Sequence, residues 1–184
     1  MLITWVPGDA ALPLGQLHTR DHENQVRVWK RRLTSTNLVW LVGGVDFSVN
    51  EDRDGVYASH WSPHLYGIGA TADPDKLRRQ LKEGCPTTDE VARPVIVTGW
   101  DGRRNALLYA FKGEFTRRIS YWGERFDPRR SKSVPSRKTS KQRLLADQKL
   151  ELWQHLHQIG LTRRIFSLRA QVHRDPKRVS IRLI

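Results

Sequence analysis

Apolar residues along this chain recur at two spacings, every second position or every third and fourth, and the changes between them predict the elements. Met1-Leu2-Ile3-Thr4-Trp5-Val6, stopped by Pro7-Gly8, predicts a strand and a turn. After the loop around Pro13 and Gly15, Val26, Trp29 and Leu33 fall at i, i+3, i+7 and predict a helix from about Leu17 to Leu33. Its end carries Lys30-Arg31-Arg32, cations that suit a helix C-terminus. Leu38 to Val49 and Tyr57 to Ala70 read as two strands, and the charged turn Glu51-Asp52-Arg53-Asp54-Gly55 joins them as a long hairpin. Asp73-Pro74 predicts an N-cap followed by an N1 proline, opening a helix that runs to Glu83 and stops at Gly84. Pro94 to Thr98 predicts a further strand. Asp101 would cap a helix from Gly102 to about Ile119, with Leu108, Phe111, Phe115 and Ile119 as its buried stripe.

The pattern changes after Trp122. Arg129 to Arg143 holds seven cations (Arg129, Arg130, Lys132, Arg137, Lys138, Lys141 and Arg143) and no acid, with Ser, Pro and Thr between them. That composition predicts a linker or arm able to contact phosphates. A last helix is expected over about Gln142 to Ile159, with Leu145, Leu152, Leu156 and Ile159 on one side and Gly160 as its C-cap. The runs Arg164–Val172 and Arg178–Leu183 then flank residues 173–177 as a hairpin. This order predicts an α+β fold, an antiparallel sheet with flanking helices. The expected division is a core over residues 1–122, a basic linker over 123–143 and a C-terminal helix with β-hairpin over 144–184.

Composition adds limits. The 184 residues suffice for one hydrophobic core, and 38% hydrophobic with 28% charged residues is an ordinary globular balance. The longest apolar run, Asn37 to Val45, is far short of the ~20 residues that cross a bilayer. Cys85 is the single cysteine, which excludes an intrachain disulfide and any multi-cysteine metal site. With no signal-type start, the expected setting is the reducing cytoplasm. The formal net charge of +13 points to a polyanionic partner, nucleic acid before an anionic membrane surface.

Chemistry concentrates in two stretches. In Trp61-Ser62-Pro63-His64-Leu65-Tyr66, strand geometry sends His64 and Tyr66 to one face, with His60 in phase if Pro63 makes no bulge. Asp46 stands among apolar residues of the preceding strand, where an aspartate calls for a specific partner. An acid and imidazoles on paired strands suit a divalent cation such as Mg²⁺ or Mn²⁺. The alternative is a hydrogen-bonded core histidine and an aspartate at a strand edge. In the second stretch, Tyr109 and Lys112 share a helix side at i, i+3, a phenol nucleophile beside an ammonium.

These motifs, in this order, resemble the HUH-type replication initiators (Rep endonucleases) of rolling-circle plasmids and phages. Leu2-Ile3-Thr4-Trp5-Val6-Pro7 stands where that family has its first apolar strand. Arg27-Val28-Trp29-Lys30-Arg31-Arg32-Leu33 matches its Trp/Arg-rich helix end, and Asp46-Phe47-Ser48 its acid-bearing strand. Trp61-Ser62-Pro63-His64-Leu65-Tyr66 matches its Trp-His-Pro-His-x-His strand, and Tyr109 with Lys112 its Tyr-x-x-Lys. The likeness covers roughly residues 1–120. It implies an HUH/RRM-like core, a metal held by Asp46 and His64 with Tyr66 or His60, and Tyr109 as nucleophile on single-stranded or hairpin origin DNA. Ser62 and Tyr66 depart from the pattern, standing where the family has histidines. Three outcomes stay open: a DNA-nicking enzyme, a non-catalytic nucleic-acid-binding protein that keeps the fold, or an unrelated basic structural or RNA-associated protein.

Overall fold

A computed structural model describes residues 1–103, 114–129, 131–175 and 178–184. It is an α+β structure built on a mostly antiparallel mixed sheet of eight strands. The strands are β1 (Leu2–Trp5), β2 (Leu12–Pro13), β3 (Leu38–Asp52), β4 (His60–Thr71), β5 (Val95–Thr98), β6 (Thr116–Asp127), β7 (Lys132–Arg143) and β8 (Ile165–Leu168). The main path is β5-β1-β4-β3-β6-β7, with β2 on β4 and β8 on β3. A separate hairpin joins β9 (Ala170–Asp175) to β10 (Arg178–Leu183). Among the described residues the α-helices are α1 (His22–Thr34), α2 (Pro74–Glu83) and α3 (Ala146–Arg163). None of the described helices is long and apolar enough to cross a membrane.

Local chemistry explains most boundaries. The Asp73 side chain accepts from the Lys76 backbone N–H at 2.8 Å, Pro74 follows as N1, and Gly84 ends α2, all as expected. Helix α1 starts later than expected. A short 3-10 turn at Leu17–Thr19 comes first, and Asp21 then caps α1 by accepting from Asn24 N at 2.9 Å. Gly160, with φ 71°, breaks α3 where its C-cap was expected. That helix begins at Ala146 rather than Gln142, because Gln142 and Arg143 are still in β7.

One sheet face holds the core. Trp5, Trp29, Trp61, Phe47, Leu65 and Phe166 are all 2% exposed or less and belong to a single apolar cluster. Leu77 and Leu81 of α2, Leu33 of α1 and Leu152 of α3 close over it. The C-terminal residues Leu144, Leu152, Ile159, Phe166 and Leu168 are part of this same cluster.

Two stretches differ from expectation. Ile119, expected on a helix begun at Gly102, lies in β6, and Phe115 lies just before that strand. The intervening residues 104–113 lie outside the described residues. The segment Arg129–Arg143, expected as an arm, instead contributes β7, paired antiparallel with β6 from Thr116↔Arg143 to Asp127↔Lys132. The C-terminal run is also divided. Arg169, at φ 51°, separates β8, which joins β3, from β9 in the expected hairpin.

Candidate functional site

The hairpin β3–β4 runs in unbroken register from Trp40↔Ala70 to Asn50↔His60, so Pro63 makes no bulge. Pro63 lies between the stretches of β4 that pair with β2 (His60, Trp61) and with β1 (Leu65–Ile68), where its missing N–H costs no ladder bond on that side. Odd-numbered Val45, Phe47 and Val49 turn to the core. The even-numbered residues take the other face and pair across the strands as Gly44↔Tyr66, Asp46↔His64, Ser48↔Ser62 and Asn50↔His60. This is a buried polar face: Asp46 is 2% exposed and His64 3%.

Asp46 and His64 meet directly. His64 Nε2 is 3.4 Å from Asp46 Oδ2, while Asp46 Oδ1 accepts from the Phe47 backbone N–H at 3.0 Å. His64 Nδ1 lies 3.0 Å from the Ser62 carbonyl, which can only accept, so Nδ1 carries a proton. A histidine acting as general base keeps one nitrogen on its acid and the other on the nucleophile. Here the second nitrogen is taken by main chain, so this arrangement is not a proton relay. Nε2 facing a carboxylate needs either a second proton or a cation shared with Asp46. Ligand bonds of about 2.1 Å at roughly tetrahedral or octahedral angles put two donors ~3.0–3.4 Å apart. The observed separation fits both pictures.

The other expected ligands stand at different distances. Tyr66 is one same-face step from His64, ~7 Å along β4, opposite Gly44 on one side and Thr4 on the other. His60 is two steps the other way, with Nδ1 2.9 Å from the Ala58 carbonyl and its ring against Tyr57 at 5.5 Å. Strand rise separates it from His64 by ~13 Å, so His60 does not join the pair. Among the described residues no group of three His, Cys, Asp or Glu side chains could hold a metal ion. Tyr109, Lys112 and Arg130 lie outside the described residues.

The edge of β3 changes partner beside Asp46. Strand β8 pairs with Leu41–Gly44 antiparallel, and β6 pairs with Ser48–Asp52 parallel. Between them Arg164 fills in. Its carbonyl accepts from Val45 N at 2.9 Å, its Nε donates to Val45 O at 3.3 Å, and its guanidinium lies 5.0 Å over the Phe115 ring. Burial lowers the Arg164 pKa, and the charge of Asp46 opposes that shift.

Pairing also sorts the basic residues by face. Ser48↔Thr116, Asn50↔Arg118 and Asp52↔Ser120 carry the polar face of β3 onto β6, and Thr116↔Arg143, Arg118↔Lys141 and Trp122↔Arg137 carry it on to β7. Arg137, Lys141 and Arg143 therefore share the face of Asp46 and His64. Lys132 and Lys138 point to the opposite, helix-side face, where Arg117 pairs with Glu51 at 3.0 Å. Arg129 is exposed beyond the end of β6, and its N–H donates to Asp127 Oδ1 at 3.0 Å. Sequence reasoning missed Trp122, 54% exposed, and Phe126, 61% exposed, on the same face as Arg137. The alternation Arg118, Ser120, Trp122, Glu124, Phe126 was the available signal. The chain matches no protein-family model, no curated protein and no solved structure in these comparisons.

Proposed function

We propose that this chain binds single-stranded DNA, nicks it and rejoins it, with Tyr109 as the nucleophile and Asp46 and His64 holding a divalent cation, Mg²⁺ or Mn²⁺. The Asp46–His64 pair carries this reading: an acid and an imidazole 3.4 Å apart, on the strands where the resemblance requires them. A bound divalent ion supplies Lewis-acid polarisation of a phosphoryl oxygen. The Ser62 carbonyl fixes the ring of His64 so that Nε2 faces Asp46. Tyr66, one same-face step (~7 Å) along β4, would serve the pair through a bridging water. Tyr109 Oη attacks phosphorus and loses its proton, and the P–O3′ bond breaks. The products are a 5′-phosphotyrosine and a strand end whose O3′ takes up a proton. Lys112 neutralises charge at the phosphate. The reverse attack by the 3′-hydroxyl rejoins the strand.

A second reading, nucleic-acid binding without cleavage, is favoured by one specific observation. The described ligands number two, and both are nearly closed from solvent. The two readings part on a denaturing gel. Labelled single-stranded oligonucleotides incubated with the protein and Mn²⁺ give a covalent adduct if the first reading holds, and Tyr109→Phe abolishes it. Salt-sensitive binding with no adduct on any sequence of a diverse pool leaves the second.

A further inference from the structure

The outer part of the β6–β7 ribbon presents two aromatic side chains to solvent beside a row of cations. Trp122 and Phe126 lie four residues apart on β6, on one face. Arg137, Lys141 and Arg143 lie on the same face of β7, ~13 Å and ~7 Å apart in turn. Trp122 is held in place. Its backbone N–H donates to Asp54 Oδ2 at 2.6 Å, and the Arg137 guanidinium sits 5.4 Å over its ring while pairing with Asp52 and Asp54. Arg137 is thus committed to two carboxylates and acts as a support for the indole. Lys141 and Arg143 are exposed and free to meet phosphates. Lys141 stands opposite Arg118, and Arg118 opposite Asn50, so the row continues onto the strand that carries Asp46.

We infer that this face of the ribbon is a track for an unpaired nucleic-acid strand, with Trp122 and Phe126 stacking on bases and Lys141 and Arg143 on the phosphates, leading toward Asp46 and His64. The inference rests on the proposed function in taking a single nucleic-acid strand as the partner, and it adds the surface that holds the strand and the residues that contact it. An exposed ring on a flat strand face reaches the π-face of a base only when that base is out of a duplex, which excludes paired substrates from this mode. The charge of the chain, +13, complements such a ligand.

The test is fluorescence-anisotropy titration of the full chain with labelled dT₁₅, rU₁₅ and a 15-bp duplex across a range of salt concentrations. Trp122→Ala and Phe126→Ala are expected each to weaken homopolymer binding by roughly 10-fold while leaving duplex binding unchanged. Lys141→Ala and Arg143→Ala are expected each to reduce the slope of log K against log[salt] by about 0.7. The pair Lys132→Ala/Lys138→Ala, on the other face, retains the aromatic dependence and most of the slope. The dT₁₅ and rU₁₅ arms identify DNA or RNA as the strand, and preference for either supports the track. Duplex bound as tightly as homopolymer, or Trp122→Ala and Phe126→Ala both without effect in variants that melt like the parent, overturns it. Failure of the two proposals is separable. Loss of adduct chemistry with aromatic-dependent binding intact removes only the nicking. Adducts formed without dependence on Trp122 and Phe126 remove only the track.

Discussion

His155 is fully buried, and neither ring nitrogen has a hydrogen-bond partner among the described residues. It packs edge-on to Phe47 at 5.3 Å and to His22 at 6.1 Å, on the core side of the strand that carries Asp46. Burial first, then the neighbouring His22, pushes its pKa down to about 4, against a partial opposing effect of Glu151. Burial lowers His22 as well. The unfolded chain therefore takes up these protons before the folded one does. Stability is fully present above about pH 6.5 and falls as pH drops toward 4, by on the order of 3 kcal/mol for His155 alone. Urea melts at pH 7 and pH 4.5 measure this loss, and His155→Phe is expected to shrink it. Glu151 works at the same scale in another way. Its two oxygens accept from Gly15 N, Leu17 N and Trp61 Nε1 at 2.9, 2.7 and 2.8 Å, tying the loop before α1 to β4 and α3. Charge-assisted bonds of this kind carry more than neutral ones, so Glu151→Ala is expected to destabilise by about 2–3 kcal/mol in a denaturant melt, with Glu151→Gln losing less.

At the scale of elements, the β3–β4 hairpin depends on two glycines facing each other. A Cβ on Gly43 would stand 2.2 Å from the Tyr66 carbonyl oxygen and 2.5 Å from Gly67 Cα, both backbone atoms. Gly43→Ala must separate the strands three residue pairs from Asp46↔His64, at an expected cost of roughly 3 kcal/mol or more. Gly123→Ala meets only the flexible end of Lys138 and is expected within about 0.5 kcal/mol of the parent, both variants being read by urea melts. The elements that were legible in the sequence were those whose signals are local: the Asp73-Pro74 start and Gly84 stop of α2, and the strands of the hairpin around Glu51–Gly55. The ribbon β6–β7 was not. Only Thr116–Ser120 of β6 pair with β3, and beyond them the ribbon leaves the core. Residues with no layer packed on them need no alternation of apolar and polar positions, so Arg129–Arg143 carried the composition of an arm while forming a strand. Phe115 and Ile119 matched a helical period that extended a stripe begun at Leu108, and tertiary pairing with β3 overrode it. Within the site, Asp46 and His64 were legible because period-two geometry fixes faces. The exclusion of His60 was legible too: four residues of strand rise put it ~13 Å from His64, and sharing a face does not bring it to the pair.

At the scale of the molecule, the C-terminal segment completes the core. β8 pairs with β3, and Phe166, fully buried, shares one apolar cluster with Trp5 and Trp29. A chain ended at Arg143 is therefore expected to lose cooperative thermal unfolding, detected by circular dichroism, where a detachable segment would leave a folded remainder. The same organisation divides the charge. Cations of β7 are divided between the helix side and the face shared with Asp46 and His64, so the pleat orients the charge of this segment, which was expected as an arm. What that face does depends on whether Asp46 and His64 jointly hold a cation. Titration of the full chain with Mn²⁺, followed by electron paramagnetic resonance of the free ion, asks this most directly. The expected result is one bound ion per chain, lost in both Asp46→Asn and His64→Gln while each variant still melts cooperatively. Mn²⁺ occupancy unchanged in either folded variant, or no bound Mn²⁺ in the parent, would contradict it.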